Sequence, residues 1–494
     1  MKKQYDLVVI GGGAAGLTGA GVAVSVGAKT MLVESHKLGG DCTWYGCIPS
    51  KILIKAAKVA HHSANGSQFG LNNIKPDFNW KSVREHIHNV RQEVYDDADR
   101  PEIFEELGID VRHAKASFVD AHTINLHKED GSEEQVTSRK FLIATGSSAM
   151  VPPIEGIEQV SYLTNENLFD LDDFPQKLAV VGAGPIGSEM AQSFRRLGAE
   201  VTVVDMLDRV LPRDNPEVTG ILQQQMEHEG IRYIWNSKVN KVEEDGSSKK
   251  LHIENKQGET TTLEVDQILI AAGRRPNISG LGLDKAGLQY DPAKGIQVND
   301  KCRTNKRHIF AAGDITGRYQ FTHMSDHMAK VAVSNALLKF PMKIEKNFVP
   351  WVTFTDPEVG HAGMTEQELK GKNISYKVYR FPYTKMDRAI TESETEGWIR
   401  VYGKPMSGKI LGIDAVGTNA GEIVSQYAMA MRNGVTMKNI ADTIFPYPTF
   451  LLGGRRVSDQ WYVQNQSPFL VRVIKTLFGY RGPLPDVSNP DRIV

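Results

Sequence analysis

Leu7-Val8-Val9-Ile10-Gly11-Gly12-Gly13-Ala14-Ala15-Gly16 is the stretch on which the fold turns. Four consecutive apolar residues read as a buried strand, and three spaced glycines then open a helix of small residues ending near Gly27. A second apolar run, Thr30 to Val33, stops at Glu34. Each part has a physical task. Gly11 makes the tight turn, Gly13 lets a pyrophosphate approach the backbone, and Gly16 lets the helix pack on the strand. The first helical turn offers free N–H groups and a partial positive charge to phosphates. Glu34 can take a ribose hydroxyl pair. A glycine turn with no ligand is the plainer alternative, but the flanking strand and helix and the acid about 20 residues on favour a nucleotide site.

The device repeats. Leu178 to Val181 leads into GAGPIG, with Gly182, Gly184 and Gly187 in the glycine positions, then a helical stretch to Leu197 and the run Val201 to Val204 ending at Asp205. Two βαβ units in one chain predict two dinucleotides, one a tightly held flavin and the other a transient hydride donor. A carboxylate at 205 suits a free 2′-hydroxyl and repels a 2′-phosphate, so NADH is expected in preference to NADPH. Arg209 and Arg213 lie near enough to meet a phosphate instead, and the plainer reading of Asp205 is a turn cap before Leu207 and Asp208.

Directly after the first unit comes GGDCTWYGCIPSK, residues 39–51. Four residues separate Cys42 from Cys47, which is too wide for the usual zinc clip, and no second ligand pair lies close by. No metal site is expected. Two buried thiols would be the bland reading, in a setting too polar and glycine-rich to suit it. The stronger reading is a dithiol–disulfide pair. A helix is expected from Cys47 onward, with Pro49 tolerated in its first turn. A thiol at a helix N-terminus has a depressed pKa, so its thiolate is available at neutral pH. Lys51, one turn on, is a candidate to pair with a carboxylate, and Glu189 is the candidate partner.

The remaining composition narrows the class. A chain of 494 residues, 40% hydrophobic and 24% charged, with net charge -1, has room for about three domains and no bias toward nucleic acid. Three cysteines build no disulfide framework, so a reducing cytoplasm is expected. Met1-Lys2-Lys3 and the apolar run after it faintly suggest a secretory leader, but Asp6 interrupts the approach and the run serves better as a strand. No apolar stretch is long enough to span a bilayer. Helices are expected over about 50–64 and about 80–107, strands at Phe141 to Ala144 and Ile268 to Ala271, and a linker at Pro276.

Taken together, the cysteine run, both fingerprints, ATG (144–146), AAGRRPN (271–277), FAAGD (310–314) and TFTDPEVGHAGMTEQEL (353–369) resemble the class I flavoprotein disulfide reductases. The resemblance spans about residues 4–465 and is nearest to dihydrolipoamide dehydrogenases and mercuric-reductase-like proteins. It implies an α/β chain with two Rossmann-like dinucleotide-binding domains and a C-terminal α+β dimerisation domain. The implied divisions are 1–150 for the first part of the FAD domain, 151–275 for the NAD(P) domain, 276–346 for the rest of the FAD-binding part, 347–465 for dimerisation, and 466–494 for a tail. The resemblance would make Cys42 the interchange thiol, Cys47 the charge-transfer thiol, and Lys51 with Glu189 an ion pair near the flavin. Glu34 would hold the adenosine ribose of FAD, Ala116 its adenine, and Asp314 its ribityl chain. Ala14, Ala15, Ser35, Gly40, Asp41, Thr43, Lys51, Thr145, Gly146, Ile186, Gly273, Arg274 and Gly313 complete the expected cofactor contacts. The family works as a homodimer in which each C-terminal domain completes the partner's active site.

Two departures stand out. The lipoamide and glutathione branches carry His-Pro-Thr near the C-terminus, with a glutamate five positions after the histidine. Here Tyr447 and Leu452 occupy those places. Tyrosine, with a pKa near ~10, is a poor base at neutral pH but can donate a hydrogen bond or proton; it can also be a plain interface aromatic. A tyrosine there is similar to mercuric reductases, yet their C-terminal cysteine pair is missing, since no cysteine follows Cys302. The acceptor is therefore read as a disulfide of lipoyl-like kind, or alternatively a soft metal ion or quinone-type oxidant. A flavin-binding partner protein docked by its tail is the reading from another class. The second departure is that tail. Phe469, Leu470, Val473, Ile474, Leu477 and Phe478 recur at helical spacing with Arg472, Lys475 and Arg481, and no acid falls between 468 and 482. It reads as a helix packed on the dimer's own surface, or as one that touches a membrane or a partner.

Overall fold

The computed structural model describes residues 4–74, 77–246, 248–338 and 340–484. The chain forms two compact units, one of 1–182, 193–206 and 236–344, the other of 183–192, 207–235 and 345–494.

In the first unit, Tyr5–Ile10 lies between Thr30–Glu34 and Glu133–Ile143, parallel to both, with Asp110–His113 and Ile309–Ala311 on the flanks. Leu7, Val8, Val9, Met31, Leu32, Phe141 and Ile143 are essentially inaccessible. Burial on both faces explains why these strands are unbroken apolar runs and not alternating ones. The helix Ala14–Ser25 crosses from the first strand to the second; a Cβ on Gly19 would fall 2.4 Å from Leu142, so a small residue lets the helix approach the sheet. Lys177–Val181 repeats the arrangement in a second parallel group, between Glu200–Val204 and Gln267–Ile270.

Two expectations change. The charged helix predicted over 80–107 is broken: Trp80–Val94 gives way to a wider turn at Tyr95–Asp99, and a new helix runs Pro101–Glu106. Proline forces the residue before it out of helical conformation, and Arg100 is extended with ψ 147. Pro276, read as a linker, instead ends a short strand, Arg274–Pro276, paired antiparallel with Ser147–Ala149. It sits at a strand end, where its missing N–H costs no ladder bond.

The second unit holds a five-stranded antiparallel sheet in the order Pro350–Thr353, Glu358–Gly363, Ile410–Gly417, Trp398–Gly403, Lys377–Pro382. Helix Ala420–Arg432 buries Ile423, Val424 and Tyr427 in the same core as Ile399, Val401 and Ile413 of the sheet. The buried His361 is held by Asp414 at 2.6 Å. Among the described residues no helix is long and apolar enough to cross a membrane.

Candidate active site

The cysteine loop is pressed against the first glycine turn. Gly39 and Gly40 take φ of 92° and 58°, values that favour glycine, and the Gly39 amide donates to Gly12 O at 2.9 Å. A Cβ on Gly40 would sit 2.8 Å from Gly13 Cα. Cys42 falls in the short helix Gly40–Trp44, and Cys47 is the first residue of Cys47–Ala64, whose N-cap, Gly46, provides no side-chain cap. The first-turn amides of this helix therefore receive no side-chain cap from Gly46.

Both residues are free, partly buried thiols. A hydrogen bond from Cys42 is the largest influence on Cys47, and with Thr322 and the Lys51 charge it outweighs burial and lowers the Cys47 pKa to about 6. The same bond, followed by burial, holds Cys42 far above the ordinary thiol range. The pair therefore titrates as a unit, with the first proton lost leaving charge on Cys47 and the second proton retained on Cys42. Thr322 Oγ1 lies 3.2 Å from Cys47 Sγ, at the start of helix Thr322–Val333. Nothing in the local sequence pattern marked Thr322, which is 275 positions from Cys47. Substituting Thr322→Val removes one stabilising donor, so the Cys47 pKa is expected to rise by about one unit. The pH dependence of Cys47 alkylation, followed by peptide mass spectrometry, checks this; an unchanged midpoint near 6 would refute it.

A charge relay fixes the loop. Arg274 Nη2 lies 3.1 Å from Asp41 Oδ1, and Arg274 Nε lies 3.6 Å from Asp314 Oδ2. Arg274 Nε also donates to Ser147 Oγ at 2.8 Å, and that hydroxyl donates to Asp314 at 2.7 Å. Asn165 Nδ2 donates to Asp41 Oδ1 at 2.9 Å, and Thr43 Oγ1 donates to Asp99 at 2.6 Å. Burial pushes the Asp314 carboxyl up, against the opposing pull of Ser147 and Arg274. Ser147, Asn165 and Asp99 were also invisible to sequence reading, because their partners are remote in the chain.

Both glycine turns pass a test of shape. Gly11 has φ +104 and a Cβ there would lie 2.4 Å from Ala144 O; Gly182 has φ +113 and the equivalent atom would lie 2.5 Å from Ala271 O. The second glycines have room: nothing but Gly40 Cα, at 3.8 Å, faces Gly13, and nothing within 4 Å faces Gly184. A tight first glycine and an open second one are what a pyrophosphate cradle requires. Glu34 ends its strand with Oε2 accepting from Gly12 N at 2.5 Å and Oε1 from His36 N at 2.7 Å, and Ser35 Oγ donates to the same carboxylate at 3.3 Å. Ala14 and Ala15 begin the helix after the first turn. Gly16 packs so closely that a Cβ would lie 1.8 Å from Gly11 O. Thr145 and Asn277 exchange two side-chain-to-carbonyl bonds of 3.0 Å beside Gly146. Gly273 and Gly313 both take positive φ, and Ala116 lies in the strand Lys115–Asp120. Asp205 directly follows its strand, and Ile186 and Gly187 lie in helix Pro185–Arg196.

Glu189 is buried and its carboxylate accepts from Phe354 N at 2.8 Å. Lys51 is half-buried and donates to Ser50 Oγ at 3.3 Å. Tyr447 is 68% exposed, whereas Leu452 is buried. A buried leucine orients no base, and His361 is committed to Asp414.

Comparison with known proteins shows the family. Residues 5–329 match the family model for pyridine nucleotide-disulphide oxidoreductases, and residues 349–452 match the dimerisation domain of the same family. A mercuric reductase of Staphylococcus aureus is 34% identical over 91% of this chain and 81% of its own length. A dihydrolipoamide dehydrogenase of Chaetomium thermophilum is 34% identical over 90% of this chain and 88% of its own. The solved structure of a Cu(II) complex of the HOCl-induced flavoprotein disulfide reductase RclA from Escherichia coli superposes with TM-score 0.80 at 26% identity, covering 93% of this chain and 99% of that one.

Proposed function

Because this chain belongs to the pyridine nucleotide-disulphide oxidoreductase family, we propose that it uses NADH and FAD to keep the Cys42–Cys47 pair reduced and passes two electrons from that pair to a soft, thiophilic metal ion. The family is FAD-dependent with a pyridine nucleotide substrate, and the chain carries its dimerisation domain. FAD, when bound, supplies the two-electron carrier between nicotinamide and sulfur.

The protein's own residues do the rest. Gly11, Gly13 and Gly16 with the helix that follows would hold the FAD pyrophosphate, and Glu34 and Asp314 are the candidates for its ribose and ribityl hydroxyls. Gly182, Gly184 and Asp205 would hold NADH, the carboxylate favouring a free 2′-hydroxyl. Lys51 and Glu189 are the proposed ion pair near the flavin. Cys47 keeps its sulfur charged near neutral pH, and Cys42 carries the proton and meets the acceptor. The domain divisions given above, a homodimer with Tyr447 serving the partner's site, and a cytoplasmic location belong to the same reading.

The observation that carries the acceptor class is the pair Tyr447 and Leu452. Reducing a disulfide to two thiols consumes two protons, and a base that cycles one of them speeds that step. A metal ion bound by sulfur accepts the two electrons without taking up a proton, and the Cys42 proton is released to solvent as the Cys42–Cys47 disulfide re-forms, so no base need cycle it and a tyrosine suffices. The protonated state of Cys42 favours a second reading, a disulfide acceptor, because Cys42 itself could return a proton. Steady-state rates with lipoamide, Hg(II), Cu(II) and a quinone separate these. Metal turnover at least about tenfold above lipoamide is expected. Efficient lipoamide reduction, undiminished in Tyr447→Phe, would refute the metal reading, and absence of any NADH-driven turnover in flavin-loaded protein would favour a non-catalytic flavin-binding role.

A further inference from the structure

Helix Pro468–Phe478 has none of its residues buried. Its ends are defined: Ser467 caps the N-terminus by accepting from Leu470 N, Pro468 takes the first turn, and Gly479 closes the C-terminus with φ 68. At 3.6 residues per turn, Phe469, Leu470, Val473, Ile474, Leu477 and Phe478 cover one half of the circumference, with Arg472 and Lys475 on the other. The apolar half faces water: Phe469 is 76% exposed, Leu477 74% and Phe478 67%, and Tyr480 just beyond is 61% exposed.

Charge identifies what covers this face. Across the whole chain 58 basic residues balance 59 acidic ones. Here Arg472, Lys475 and Arg481 stand in a stretch from 460 to 485 that has no Asp or Glu. A helix with large apolar side chains on one side, and on the other Arg472 and Lys475 as its charged groups beside Pro468, Val471 and Thr476, complements the phosphate plane and acyl boundary of an anionic bilayer. Eleven residues extend about 16 Å, near half of a hydrocarbon core of about 30 Å, so the helix can lie in the interface but not cross. We propose that Pro468–Phe478 is a reversible surface anchor that seats its apolar face in an anionic lipid bilayer, with Arg472, Lys475 and Arg481 meeting the headgroup phosphates.

The test is co-sedimentation of the full-length, FAD-loaded protein with vesicles of mixed phosphatidylglycerol and phosphatidylcholine, and with phosphatidylcholine alone. Binding is expected on the anionic vesicles, with loss at high salt and weak binding to the zwitterionic ones. Replacing all three cations by glutamine (R472Q, K475Q, R481Q) is expected to weaken vesicle binding roughly a hundredfold, about fivefold per charge. Leu477→Asp is expected to weaken it at least about tenfold while leaving circular dichroism and turnover unchanged, since the side chain is exposed. Wild-type protein that ignores anionic vesicles would overturn the proposal. So would variants that bind as the wild type does. Absent vesicle binding together with a Leu477→Asp variant that turns from dimer to monomer would assign the face to a second copy of the chain and likewise overturn it.

Discussion

Cys47→Ser is expected to cut acceptor reduction through the sulfur pair on the order of a thousandfold or more, because a serine hydroxyl does not carry charge or electrons where the thiolate did. The structure makes the two sulfurs unequal. Cys47 lies at a helix start with Thr322 Oγ1 at 3.2 Å, and its pKa is lowered to about 6 chiefly by the Cys42 hydrogen bond. Cys42→Ser keeps an O–H donor in place of the S–H, so Cys47 remains charged in that variant. The two substitutions should both abolish turnover yet differ in spectrum. Flavin-loaded Cys42→Ser should show long-wavelength thiolate–flavin absorbance without added NADH, fading as pH falls through about 6, because protonation removes the charge. Cys47→Ser should show none at any pH. Turnover retained in Cys47→Ser, or a band present in it, would sink the assignment.

Gly11→Ala should yield protein with little or no bound flavin and lowered stability. Two penalties combine at this position. The backbone has φ +104, and the new Cβ would meet Ala144 O at 2.4 Å and Thr145 Cα at 3.0 Å. Left-handed strain costs about 1–2 kcal/mol and an overpacked contact about 1–3 kcal/mol more, so about 2–5 kcal/mol is expected in all. Relief requires moving the segment after the strand Glu133–Ile143, which bears Thr145 and Gly146 and is proposed to face the cofactor. The visible-to-ultraviolet absorbance ratio of purified protein and its thermal midpoint measure both effects. Full flavin content with an unshifted midpoint would show that the turn tolerates the methyl group. Gly13→Ala is the informative control: its nearest neighbour would be 3.8 Å away, so the fold should survive and flavin binding alone should suffer.

What the sequence determined by itself is local in its physics. Apolar runs bounded by glycines specified both parallel strand groups, because strands buried on both faces must be apolar throughout. Positive-φ turns at Gly11 and Gly182 were legible because only glycine tolerates them cheaply. The cysteine pair was legible because its spacing and the helix that begins at Cys47 are contiguous in the chain. The break at Pro101 was also written there, in the rule that proline expels its predecessor from a helix, but helical periodicity on either side masked it.

The tertiary structure alone decided which remote side chains support the Cys47 sulfur and what holds the loop in place. Thr322 reaches Cys47, and Arg274 joins Asp41 to Asp314, across separations that no periodicity or motif spacing encodes. Hydrogen bonds and ion pairs act over a few ångströms. Their members are therefore known only once the fold has brought distant segments together. The same reason leaves the tail half-read by sequence. Its amphipathic pattern predicted a helix, and only the folded chain showed that, among the described residues, none of Pro468–Phe478 is buried.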